Sequence, residues 1–300
     1  MRLLRYGAPG AEKPGLMDTQ GRIRDLSGQV ADIAGNVLGP ESLARLRALD
    51  PQSLPLVPEG VRLGACVGQV HNVVCIGLNY SDHAAETNSP IPGQPIVFNK
   101  HTSALSGPND AVLRAPGSVK LDWEVELGIV IGQPTWNVGQ ADALKHVAGY
   151  CLVNDVSERA FQTEFEGQWT KGKSYPTHCP IGPWLLTRDE VPDVQNLAMW
   201  LDVNGQRRQT GNTRTMIFGV DVIVSYLSRF MALMPGDVIP TGTPPGVGFG
   251  FKPPIFLNNG DVMTLGIEGL GEQRQEVVPY DDAAGQAWAA RVLNTRGEAA

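Results

Sequence analysis

The chain has 300 residues, 42% of them hydrophobic and 18% charged, with a formal net charge of −7. That is enough apolar content for a full globular core, while the acidic balance and the lack of a basic run speak against nucleic acid or an anionic membrane as partner. No stretch reaches 18 uninterrupted apolar residues and MRLLRYGAPG lacks the apolar core of a signal peptide, so a cytoplasmic enzyme or binding protein is expected.

Thirty-five glycines and 23 prolines cut the sequence into short segments, most of them strand-like, which predicts a mostly β (α+β) fold with few helices. In chain order, a hairpin around Gly21 comes first. A helix opens at Pro40-Glu41-Ser42 and carries Leu43, Leu46 and Leu49 on one face. These elements form an expected small N-terminal domain over residues 1–65, closed by the proline-rich connector Pro51 to Gly60. The catalytic domain is then expected over 66–300, starting with the strand NVVCIGL at Asn72. Cys66, Cys75, Cys151 and Cys179 form no CxxC pair and are read as buried thiols.

In GLNYSDHAAE, Ser81 or Asp82 can cap a short helix that sets His83 and Glu86 three residues apart on one face. Such a pair suits a water-activating base whose imidazole is oriented by a carboxylate, although an exposed pair of little energetic weight has the same spacing. Pro90, Pro92 and Gly93 follow, the composition of a mobile lid. LDWEVELG sets Asp122, Glu124 and Glu126 on one face of a strand, and the following IVIG makes that strand apolar on both faces, as in a sheet interior. Buried acids need a partner, for which a cation is the obvious choice, while the alternative is a half-exposed strand with a solvated acidic face. A third ligand is expected from Asp155, at the end of the strand GYCLV, where the alternative is an N-cap for a helix starting near Ser157. Without paired histidine or cysteine, the acids favour Mg²⁺ over Zn²⁺.

Further on, Lys171 and Lys173 lie on what reads as a glycine-rich loop, GQWTKGKSYPTHCPIGPW, where a lysine can meet an anion or a developing enolate. Asn204-Gly205 marks a hairpin, Val220 to Met234 has helical spacing, and Pro235-Gly236-Asp237 turns into the strand VIPTG. The stretch TGTPPGVGFG offers backbone N–H groups and threonine hydroxyls to a carboxylate or carbonyl, and equally suits a plain turn.

Taken in this order across residues 77–248, GLNYSDHAAE, LDWEVELGIVIG, VNDVSERAFQ, KGKSYPTHCPIGPW and TGTPPGVG resemble the motifs of the fumarylacetoacetate hydrolase family. The resemblance implies a mixed β-sandwich roll and a homodimer or higher homo-oligomer. It assigns Mg²⁺ or Mn²⁺ to Glu124, Glu126 and Asp155, water activation to His83 and Glu86, and enolate stabilisation to Lys173. Arg159, Gln162, Gly242, Thr243 and Tyr175 become substrate-binding, and Asp122 supports the ligands from behind. Asn79 stands where fumarylacetoacetases carry an extra acid. The N-terminal segments MRLLRYG, EKPGLMD and GRIRDLS are most similar to hydrolases of 2,4-diketo-3-deoxy-L-rhamnonate or L-fuconate.

The implied reaction is hydrolysis of the C3–C4 bond of a 2,4-diketo acid, in which a pyruvate enolate departs as the stabilised carbanion. A sugar-acid substrate would give pyruvate and L-lactate. An acylpyruvate hydrolase, an oxaloacetate decarboxylase or a diacid isomerase would use the same cation and enolate. A non-catalytic sugar-acid or metal-binding module is the remaining class.

Overall fold

The computed structural model describes residues 1–86 and 90–294. Its centre is a nine-stranded mixed sheet that runs, in spatial order, Ile23–Asp25, Lys13–Met17, Arg2–Tyr6, Leu185–Thr187, Val147–Asn154, Val125–Ile131, Val238–Pro240, Val73–Gly77, Ile96–Lys100. A five-stranded sheet packs on it, ordered Gln206–Asn212, Ala198–Val203, Val262–Ile267, Gly271–Pro279, Val112–Arg114. The protein is thus the mostly β, mixed sandwich that its segment pattern and motif resemblance imply.

The two faces of the central strand explain the layering. Leu127, Ile129 and Ile131 alternate with Gly128 and Val130, so the first set joins Leu201, Met263 and Leu265 of the second sheet in the main core. Val130 turns the other way, into a cluster with Val73, Cys151 and Val153 that is covered by Leu3, Leu16, Leu38 and Leu43. All four cysteines are free and buried, as expected. The segment 1–65 does contain the hairpin and the helix Pro40–Arg47. Its first strand also extends the large sheet, Arg2 pairing with Leu186, and its leucines share a core with the strands behind the site.

Two local expectations are corrected, and the alternative reading of Asp155 as a helix cap is set aside. The helix expected over 220–234 is Val220–Ser228, because Leu233 exchanges both backbone hydrogen bonds with Thr135 (2.9 Å each) and Pro235 disfavours helical geometry at Met234. Lys173 ends a short helix, Trp169–Lys173, rather than sitting on a loop. The helix after the GYCLVND strand starts at Arg159 and is capped by the Glu158 carboxylate, not by Asp155. The Asn204-Gly205 hairpin is present, with both residues at positive φ (52° and 74°) as a type I′ turn demands.

His178 is wholly buried, and its Nε2 lies 2.9 Å from the Leu113 carbonyl. Burial, with Lys100 nearby, brings its pKa down to about 3. The unfolded chain takes up that proton near pH ~6.5 and the folded chain does not. Stability is therefore complete above that pH and falls by about 1.4 kcal/mol per unit as pH drops from there towards the folded value. His178→Gln is expected to remove one proton from the acid limb of a urea-unfolding series, and an unaltered limb would mean the ring titrates alike in both states.

Candidate active site

Strand register assembles the acids. The strand Val125–Ile131 pairs antiparallel with Val147–Asn154, setting Val153 opposite Glu126 and Asn154 opposite Val125. One step further Asp155 N donates to the Glu124 carbonyl at 2.9 Å. The carboxylates of Glu124, Glu126 and Asp155 consequently each bring an oxygen within 4.8 Å of the others, and all three side chains are buried. Asp122 goes elsewhere. It accepts hydrogen bonds from Gly248 N (2.6 Å), Phe249 N (3.0 Å) and Arg159 Nε (2.8 Å), tying the TGTPPGVG loop to the arginine.

Lys173 Nζ donates to Glu124 Oε2 (2.8 Å) and Asp155 Oδ2 (2.7 Å), and Lys100 Nζ to Asp155 Oδ1 (2.5 Å). Arg159 Nη2 lies 2.6 Å from Glu124 Oε1, and its Nη1 donates to Gln162 Oε1 at 3.0 Å. Burial alone would raise the Glu124 carboxyl, but Lys173 and Arg159 outweigh it and hold the group well below the usual carboxylate range. Glu126 behaves oppositely. Burial and the neighbouring Asp155 and Glu124 charges push it well above that range, against a hydrogen bond from Gly242 N at 2.8 Å. Four buried carboxylates (Asp122, Glu124, Glu126, Asp155) thus face three buried cations (Lys100, Arg159, Lys173), and the deficit falls on Glu126. A hard divalent cation fits this all-oxygen, negatively charged donor set.

A cavity of about 180 Å³ opens against this cluster. His83, Glu124, Glu126, Arg159, Gln162, Lys173, Gly242 and Thr243 line it, whereas Asp155 lies behind, beneath the two lysines. Tyr175 is not among the lining residues, and its ring packs 5.3 Å from that of His178. Thr243 reaches the wall with its hydroxyl already engaged, donating to the Val125 carbonyl (2.9 Å) and accepting from Gln209 Nε2 (2.8 Å).

The helix Ser81–Glu86 presents His83, whose Nδ1 is 3.0 Å from Glu86 Oε2, while Glu86 Oε1 accepts from Gly246 N at 3.0 Å. Asn79 pins this helix to the TGTP turn. Its amide donates to the Thr241 (2.9 Å) and Phe218 (3.1 Å) carbonyls, and its oxygen accepts from Phe218 N (2.8 Å). Gly242, at φ +97°, lies so close to Asn79 that a Cβ there would stand 2.9 Å from the asparagine Cβ. Of the expected lid, residues 87–89 lie outside the described residues.

The matching family model, fumarylacetoacetate (FAA) hydrolase C-terminal, spans residues 72–278. The chain belongs to the fumarylacetoacetate hydrolase family. Among its members, a protein of Burkholderia multivorans described as a hydrolase without a named substrate is 62% identical over 92% of this chain and 98% of its own length. The fumarylacetoacetate hydrolase of the psychrophile Exiguobacterium antarcticum superposes with a TM-score of 0.82 at 36% identity, covering 93% of this chain and 99% of that one. Maleylpyruvate hydrolase of Sphingobium sp. SYK-6, solved with manganese(II) and pyruvate, gives a TM-score of 0.77 at 29% identity, with coverage of 93% and 99%.

Lys100 was absent from the sequence-based site. It ends the strand Ile96–Lys100, two residues from the cavity-lining Phe98 and so on the same face. That alternation was the available signal. Nothing in the sequence marked Gln209, which reaches the site from the second sheet.

Proposed function

We propose that this protein is a divalent-cation-dependent hydrolase that cleaves the C3–C4 bond of a 2,4-diketo acid and releases pyruvate. The observation that carries this reading is a single cavity lined by Glu124 and Glu126, which share their acidic cluster with Asp155 behind them, and by His83, whose ring is held by Glu86. The family resemblance supports it, as does a relative bearing manganese and pyruvate.

Glu124, Glu126 and Asp155 would hold Mg²⁺ or Mn²⁺. When bound, that ion supplies Lewis-acid polarisation of the C2 ketone and charge stabilisation of the enolate. Arg159, Gln162 and the Gly242 turn orient the keto-acid end. Glu86 would accept a hydrogen bond from His83 Nδ1–H, which leaves Nε2 as the ring nitrogen that takes a proton from water as the oxygen attacks C4. The C3–C4 bond then breaks with its electron pair on C3. Lys173, held fully protonated by Asp155 and Glu124 although burial opposes it, faces that developing charge. The imidazolium returns its proton to C3, giving pyruvate and the acid that carries the C4 substituent.

Chelation tests the reading directly. Pyruvate release from 2,4-diketo acids is expected to stop in EDTA and to return with Mg²⁺ or Mn²⁺, whereas a rate that persists without cation would overturn it. Oxaloacetate in the same panel separates decarboxylation from hydrolysis.

A further inference from the structure

The cavity has a lining of two kinds. The cluster of acids, cations and Gln162 supplies one. The apolar lining comes from Leu78, Phe98, Trp169, Val247 and Phe249, and Phe98 borders the charged cluster, with Lys173 Nζ 5.2 Å from its ring centroid. Trp169 and Phe98 meet edge to face, with centroids 5.3 Å apart, and the indole lies directly on the backbone of Gly77. A Cβ at position 77 would come within 2.5 Å of Trp169 Cζ3, so only glycine there admits the ring. Leu78 adopts φ +49°, a left-handed conformation that costs a bulky residue free energy and that helps set its side chain on the cavity wall. Phe249 stands at the mouth, half exposed.

Several polar groups of the lining already have partners. Arg159 and Lys173 are paired with Asp122, Glu124 and Asp155. The Thr163 hydroxyl donates to the Arg159 carbonyl (2.9 Å) and that of Thr243 to the Val125 carbonyl (2.9 Å). A polyhydroxylated tail would therefore meet hydroxyls whose protons are already engaged. A second carboxylate would meet no uncommitted lysine or arginine among the described lining residues. Such tails gain less from this lining than a hydrocarbon tail does.

We propose that Leu78, Phe98, Trp169 and Phe249 form a subsite for an apolar acyl tail on C4, so that the preferred substrates are acylpyruvates with hydrocarbon acyl groups. This rests on the 2,4-diketo-acid reading and narrows it. Aliphatic carbons beyond C4 gain by leaving water for the Trp169 and Phe98 rings, and each added methylene is expected to raise kcat/KM about fourfold until the wall is covered.

The test compares acylpyruvates of increasing alkyl length with hydroxylated and terminally carboxylated tails of equal length, assayed for pyruvate with Mn²⁺ present. A rising alkyl series, flattened in Trp169→Ala and retained in Trp169→Phe, supports the subsite, and Phe249→Ala should blunt only the longest members. A flat series, or faster turnover of the hydroxylated or carboxylated tails, overturns it. If no compound yields pyruvate, the hydrolase reading fails, and calorimetric titration of the Mn²⁺-loaded protein with uncleavable 2-oxo acids of increasing alkyl length decides the subsite by itself. Affinity that rises with length in the wild type and not in Trp169→Ala supports it, and affinity independent of length rejects it.

Discussion

His83→Ala is expected to lower kcat for pyruvate release by about 10²–10⁴-fold, the usual worth of a positioned general base, with affinity for Mn²⁺ unchanged. The separation follows from geometry. His83 comes from the helix Ser81–Glu86 and the acids from the paired strands, and the chemistry would join them only through the cavity between. Glu86→Gln should show a smaller loss. The amide can still hold the Gly246 N–H and one ring nitrogen, but it no longer stabilises the imidazolium. Single-turnover rates together with calorimetric metal titration check both variants. Weakened Mn²⁺ binding in His83→Ala would place the imidazole among the ligands, and unchanged turnover would remove it from the chemistry.

Lys173→Met combines two losses. Its ammonium bridges Glu124 and Asp155 where all three side chains are almost wholly buried, so solvent screens little of the interaction. Removing one partner of a buried pair costs about 3–5 kcal/mol, because the remaining charge stays unpaired. The lower end is expected, since Arg159 still faces Glu124 and Lys100 still faces Asp155. Urea unfolding of the metal-free variant should show a loss of about 3 kcal/mol, and saturating Mn²⁺ should restore part of it by supplying the missing positive charge. Turnover should stay about 10²-fold down even with the cation present, because the charge beside the enolate is gone. Full recovery of the rate with metal would make Lys173 a structural counter-ion alone. No change in metal-free stability would show that the remaining cations already balance the cluster.

His83 is a residue that a short-range pattern had marked, whereas Lys173 was singled out by the motif resemblance. Alternation along LDWEVELG set Glu124 and Glu126 on one face, and i,i+3 spacing brought His83 to Glu86. Asn204-Gly205 announced its hairpin by the positive φ that both turn residues require. These are properties of a few neighbouring residues, and the backbone periods of 2 and 3.6 suffice to read them. The helix end at Ser228 was misread for the complementary reason. It is set by pairing with Thr135, far away in the chain.

The sequence by itself determined the mostly β architecture, the family, and the residue types from which the site is built. Tertiary structure supplied the contacts by which the acids singled out by the motifs come together or part. Asp155 meets Glu124 through antiparallel register, and Asp122 is drawn off by Arg159 and the Gly248 and Phe249 amides. It also supplied Lys100, engaged the Thr243 hydroxyl through Gln209, and laid Trp169 on Gly77. The physical reason is that charge balance and cavity shape depend on distances between strands remote in sequence, and those distances exist only once the sheets have paired and packed.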